Sequence, residues 1–200
     1  MIRLVVAGAS GKMGRAILTC ASQDPAIEIS GALDIPNSPA LGHEVGKFIG
    51  RENCHVPVTS DVAAALAKAD VLIDFTHPSA INAHLQTACK AGKAYVLGTT
   101  GFDETTKGLL HQASEKIAIV QSPNMSIGVN LLFKLAEITA KALDDSYDIE
   151  IAEIHHRMKK DAPSGTAAKL LELVAKARSK NIKTDVVYER HGETGARPPG

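Results

Sequence analysis

Two hundred residues, 44% hydrophobic and 22% charged, describe a globular chain long enough for one large domain or for one domain and part of another. A formal net charge of zero and a pI near 7.1 argue against a general nucleic-acid binder, which needs a basic stripe to displace counterions from phosphates. The charge is nonetheless uneven: residues 1–150 hold 12 Lys+Arg against 16 Asp+Glu, residues 151–200 hold 10 against 6, and a basic last quarter suits an anionic ligand.

The chain opens on an apolar run over 2–7 that predicts a strand, followed by a helix over 12–22 and a second strand over 27–34. Residues 36–50 are rich in Gly, Pro and Ser without a clean period and predict a long loop. Strands are then expected over 71–75, 94–98 and 117–121, and helices over 79–91, closed by Gly92, and over 103–115. Strands alternating with helices imply crossovers and a parallel sheet, and near-continuous apolar strands imply a sheet covered on both faces. Beyond a domain change near Pro123, a helix is predicted over 126–143, a half-exposed strand over 147–154, a helix over 166–178 and a strand over 184–189. The ending, Arg190 to Gly200, is loop-like, so a second domain would own about two strands. So small a sheet is marginal alone, and either further chain or reliance on oligomerisation is expected.

Gly8-Ala9-Ser10-Gly11-Lys12-Met13-Gly14 lies between the first strand and the first helix with the spacing G-x-x-G-x-x-G. Glycines there allow a tight turn, close approach of the main chain to a pyrophosphate and close packing of helix on strand. Asp34, at the end of the next strand, is placed to accept hydrogen bonds from an adenosine ribose. Together they point to a dinucleotide. A phosphate loop for ATP or GTP fails on spacing, because Val6 and Met13 stand where it requires Gly and Ser/Thr. Ile35 and Pro36 follow Asp34 with no Arg to receive a 2′-phosphate, which favours NADH over NADPH.

The densest chemistry is Glu153-Ile-His-His-Arg-Met-Lys-Lys-Asp-Ala-Pro-Ser-Gly-Thr166. Histidine is the usual proton donor near neutral pH, and a Ser-Gly-Thr turn entering a helix offers N–H and hydroxyl donors to an anion. Arg157 and Lys160 read as surface charges. Ser164 or Thr166 reads as the helix cap.

Two further segments complete a pattern: Gly98-Thr99-Thr100-Gly101, and Ser122-Pro123-Asn124-Met125-Ser126-Ile127-Gly128-Val129-Asn130. With the glycine turn and His-His-x-x-Lys-x-Asp-Ala-Pro-Ser-Gly-Thr, they resemble the 4-hydroxy-tetrahydrodipicolinate (dihydrodipicolinate) reductases of the diaminopimelate route to lysine, over nearly the whole chain. The resemblance implies an α/β protein with an N-terminal Rossmann domain over 1–125 and a C-terminal α+β mixed-sheet domain over 126–200 for substrate binding and oligomerisation. Members of that family run further than Gly200. The resemblance implies that Gly8, Gly11, Lys12 and Met13 hold the pyrophosphate, with Ala9 and Ser10 also among the cofactor-binding residues, and that Asp34 holds the ribose. Gly98, Thr99 and Thr100 would stand at the nicotinamide side, and Ser122, Pro123, Asn124 and Met125 would line the cofactor where the domains hinge. His155 and Lys159 match the family's catalytic pair, and His156, Gly165 and Thr166 its substrate contacts. NADH or NADPH, a small dicarboxylate substrate and a homotetramer are expected with them.

Cys20, Cys54 and Cys89 are odd in number and lack a C-x-x-C, so no disulfide framework or zinc knuckle is expected. The apolar start is too short for a signal-peptide core, and a cytoplasmic protein is expected without membrane or nucleic-acid partners. His43, His55, His77, His84 and His111 show no ligand spacing, so no metal is expected. The competing readings are another Rossmann dehydrogenase, of the aspartate or homoserine type, and a non-catalytic nucleotide-binding protein.

Overall fold

The structure, a computed structural model, describes residues 1–160 and 162–196. Asp161 of the His-His run and the end of the C-terminal loop lie outside the described residues. By internal contact the chain divides into two compact units between Ser122 and Pro123.

The first unit follows from the apolar runs. Strand β1 (Ile2–Ala7) has side chains alternating in direction, so Val5 and Ala7 enter one core while Leu4 and Val6 enter another on the opposite face. Around it stand β2 (Ile27–Leu33), β3 (Val58–Thr59), β4 (Val71–Asp74), β5 (Ala94–Leu97) and β6 (Ile119–Gln121), all parallel, in the order β3-β2-β1-β4-β5-β6. Helices α1 (Lys12–Ala21) and α2 (Val45–Ile49) contribute Leu18, Ala21 and Val45 to one face. On the other, α3 (Val62–Leu66), α4 (Pro78–Ala91) and α5 (Glu104–Ser114) contribute Leu66, Ile81, Leu85, Ala88 and Leu110. Parallel strands covered on both faces in this order make a Rossmann sheet. The order reverses between β1 and β4, and ligands of such sheets bind beyond the strand C-termini at that point.

Three short elements depart from the predicted pattern. Helix α2 falls inside the segment read as loop, and β3 and α3 lie where no element was expected. They are two to five residues long, too short to show a period. Strand β3 is held by its pairing with Ala32 and Leu33, and α3 is capped by the Asp61 side chain, which accepts from the Ala64 N–H.

The second unit holds α6 (Ile127–Ala142), α7 (Gly165–Ala177) and α8 (Ile182–Asp185). Helices α6 and α7 pack together, burying Phe133 and Ala140 on one and Ala167, Val174 and Ala175 on the other. Arg178, past the end of α7, donates to the Leu143 and Asp144 carbonyls at 2.5 and 2.6 Å and so closes the C-terminus of α6. The strands predicted over 147–154 and 184–189 do not form: the unit has no strand among the described residues, and 182–185 is helical. A strand is secured by a ladder to a neighbour, and neither segment has one among the described residues; Glu150 of the first pairs at 3.1 Å with Arg190, just past the second. The mixed sheet expected of this unit is thus not formed among the described residues.

Candidate functional site

At the switch point the main chain is arranged around the glycines. Gly8 ends β1 with φ +76°, in the left-handed region, and the Gly8 and Ala9 N–H groups both donate to the Leu33 carbonyl at 2.9 Å. The Gly11 N–H returns to the Gly8 carbonyl at 2.9 Å. A Cβ on Gly14 would lie 2.1 Å from that same carbonyl oxygen, so only glycine lets α1 pack this close to the turn. Gly11 occupies the N-cap without a capping side chain, and the Lys12, Met13 and Gly14 N–H groups have no acceptor among the described residues. Those donors, at a helix N-terminus, fit a pyrophosphate. Asp34 follows β2, and its carboxylate accepts from Ser10 N–H at 3.0 Å and Ile35 N–H at 2.9 Å, which places it beside the turn.

The next two strands end at the same level. Gly98 N–H donates to the Asp74 carbonyl at 2.9 Å, and Thr99 Oγ1 donates to the Thr76 carbonyl at 2.9 Å; Thr100 is exposed. A Cβ on Gly98 would sit 2.1 Å from the Phe75 ring, and one on Gly8 would sit 3.4 Å from the Thr76 methyl. Phe75 and Thr76 thus lie between the glycine turn and Gly98, and sequence reading missed both. Their signal was available: they are the first residues after the strand that borders the switch. Ser122 N–H donates to the Leu97 carbonyl at 3.2 Å beyond β6.

In the second unit, Asn124 joins two expected sites. Its amide donates to Thr166 Oγ1 at 3.2 Å, its side-chain oxygen accepts from Ser126 N–H at 2.9 Å, and its carbonyl accepts from the Asn130 amide at 2.9 Å. Pro123 is half-buried and Met125 is exposed. Ser164, not Thr166, caps α7, accepting from Ala167 N–H at 3.1 Å. The Gly165 and Thr166 N–H groups carry no acceptor among the described residues, which leaves a helix N-terminus open to an anion.

Glu153 ties this helix start to the imidazole. One carboxylate oxygen accepts from Ser164 N–H at 2.9 Å, and the other lies 2.7 Å from His155 Nε2. Hydrogen bonds from Ser164 and then from His155 hold the Glu153 pKa down to about 2, so at neutral pH it is an acceptor only and His155 Nε2 must carry a proton. Sequence reading gave Glu153 no role. His156 Nδ1 accepts from Met158 N–H at 3.2 Å, and Lys159 N–H donates to the His156 carbonyl at 3.1 Å, so the two lie on one turn. Arg157 and Lys160 are exposed.

Comparison with known proteins gives the family. The family model described as dihydrodipicolinate reductase, N-terminus, matches residues 2–125, and that described as dihydrodipicolinate reductase, C-terminus, matches residues 128–197. The chain belongs to the dihydrodipicolinate reductase family. A 4-hydroxy-tetrahydrodipicolinate reductase of Cupriavidus pinatubonensis is 50% identical over 198 residues, which cover 99% of this chain and 74% of that protein. One from Laribacter hongkongensis is 48% identical over 200 residues, all of this chain and 74% of its own. Among solved structures, dipicolinate-bound dihydrodipicolinate reductase from Paenisporosarcina sp. TG-14 superposes with a TM-score of 0.71 at 28% identity, covering 99% of this chain and 71% of that one. As a dihydrodipicolinate reductase, the chain is an NAD(P)H-dependent oxidoreductase whose first unit is the dinucleotide-binding domain. No helix among the described residues is long and apolar enough to cross a membrane.

Proposed function

We propose that His155 delivers the proton, assisted by Lys159, in the NAD(P)H-dependent reduction of 4-hydroxy-tetrahydrodipicolinate to tetrahydrodipicolinate, the step of the diaminopimelate route to lysine for which the family's members are named. The bond between Glu153 and His155 Nε2 carries this reading. With Nε2 engaged, Nδ1 is the ring nitrogen that faces substrate, since it has no partner among the described residues. Loss of the 4-hydroxyl as water leaves the ring with a conjugated C=C–C=N system, to one end of which bound NAD(P)H would supply hydride. Negative charge then gathers at the other end, where an imidazolium donates its proton and an ammonium at Lys159 offsets the charge. The Gly165 and Thr166 N–H groups receive one substrate carboxylate, and His156 contacts the substrate beside it.

In the nucleotide site, Gly8 to Met13 hold the pyrophosphate and Asp34 the adenosine ribose. Gly98, Thr99 and Thr100 border the nicotinamide, and Ser122 to Met125 line the remainder. A carboxylate at Asp34 without a neighbouring Arg repels a 2′-phosphate, so NADH is the better substrate. Residues 1–125 act as the nucleotide domain and 126–200 as the substrate and oligomerisation domain of a cytoplasmic homotetramer. Limited proteolysis should cut first near residues 122–126; resistance there with cutting elsewhere would refute that division.

A coupled assay with pyruvate, aspartate semialdehyde and the upstream synthase, followed at the NADH absorbance band, tests the chemistry. His155→Gln should lower kcat by about 10²-fold with NADH affinity nearly unchanged, and kcat/KM should be higher with NADH than with NADPH. Turnover like wild type in His155→Gln removes the imidazole from the reaction.

A further inference from the structure

Strand β4 closes on Asp74, a fully buried carboxylate that no step above employs. Alternation along β4 turns Leu72 and Asp74 toward the face covered by α3, α4 and α5. There Asp74 meets His84, which shares the inward stripe of α4 with Ile81, Leu85 and Ala88, and Tyr95 of β5. His84 Nδ1 and the Tyr95 hydroxyl each donate to Asp74 Oδ2 at 2.7 Å. The Thr76 N–H and Oγ1 donate to Oδ1 at 2.9 and 2.6 Å.

A carboxylate offers about four acceptor positions, and these donors fill them. Burial opposes the charge, but bonds from His84, Thr76 and Tyr95 outweigh it and keep the Asp74 pKa below the ordinary Asp range. Such a group has no capacity left for substrate. Nor does a desolvated charge recommend itself for stability, because apolar side chains of similar volume commonly serve at least as well. What it fixes is the turn after β4. The Thr76 carbonyl accepts from Thr99 Oγ1, Gly98 N–H donates to the Asp74 carbonyl, and the Thr76 methyl borders Gly8.

We infer that Asp74, His84 and Tyr95 form a buried positioning unit that sets the Phe75–Thr76 turn, and through it Thr99, against the nicotinamide half of the dinucleotide. The inference rests on the placement of that half at Gly98–Thr100 given above. Its three members act through Thr76 and touch no reacting atom.

Calorimetric titration with NADH and with ADP-ribose, which keeps the adenosine and both phosphates but lacks the nicotinamide, separates this role from a purely structural one. In His84→Leu the Kd for NADH should rise by about tenfold while that for ADP-ribose stays within about twofold. Tyr95→Phe should move NADH alone in the same direction, and His84→Asn, whose amide can reach the Nδ1 position, should recover most of the loss. Equal loss for both ligands, or none, in folded variants overturns the inference. Should His84→Leu fail to fold, Tyr95→Phe, which removes a single oxygen, decides it. No turnover is needed, so an inactive wild type that binds NADH would refute the reaction and leave this test standing. A wild type that binds NADH no more tightly than ADP-ribose would sink the nicotinamide placement and the inference with it.

Discussion

Side chains two apart along an extended chain point to the same side, and Glu153 and His155 use that spacing to meet at 2.7 Å. The carboxylate also accepts from the Ser164 N–H, so the imidazole is tied to the start of α7. Glu153→Ala should therefore lower kcat by about tenfold, less than His155→Gln, with a smaller change in KM; an unchanged kcat would show that the ring holds its orientation without it. At this scale the sequence was informative wherever a residue type announces its own chemistry. The left-handed turn at Gly8 and the place of Asp34 beside it were legible for that reason. Glu153 was not, because a glutamate in an acidic segment looks like solvated surface until its partners are placed.

Between elements, the Asp74 cluster couples β4, β5 and α4 in a pH-dependent way. Burial, and then the adjacent Asp74 charge, raise the Tyr95 pKa above its ordinary value. A pKa higher in the folded than in the unfolded chain means that the neutral hydroxyl stabilises fully below about pH 10 and that this contribution is lost as pH rises further. Urea midpoints at pH 8 and pH 11 should therefore differ less in Tyr95→Phe than in wild type, and equal differences would contradict the raised pKa. The long elements were readable in advance because a covered parallel strand is an apolar run and a covering helix has a 3.6-residue stripe. Helices α2 and α3 and strand β3 were not, since two to five residues cannot display a period and tertiary contacts decide them.

Over the whole molecule, apolar surface is unevenly distributed. Ile127, Leu131, Leu135 and Ile138 recur at helical spacing along α6 and are all more than half exposed, the face opposite Phe133. Tyr147, Val187 and Tyr188, in the two segments that were expected to be strands, are exposed as well. The strands expected there do not form, because a pattern in sequence cannot say whether a hydrogen-bonding neighbour is present. The homotetramer proposed above gives this surface a partner. Sedimentation velocity should find four chains per particle, and Leu131→Glu with Leu135→Glu should shift the particle toward smaller species; a monodisperse monomer would refute the assembly.

The bond from Ser10 N–H to Asp34 has a practical bearing on coenzyme redesign. Exchanging this acid, proposed above as the ribose contact, for a small or basic residue would also strip the Ser10 amide of its only acceptor among the described residues. A selectivity swap at this position therefore carries a conformational penalty with either coenzyme, and recovering activity calls for a second substitution that re-anchors Ser10.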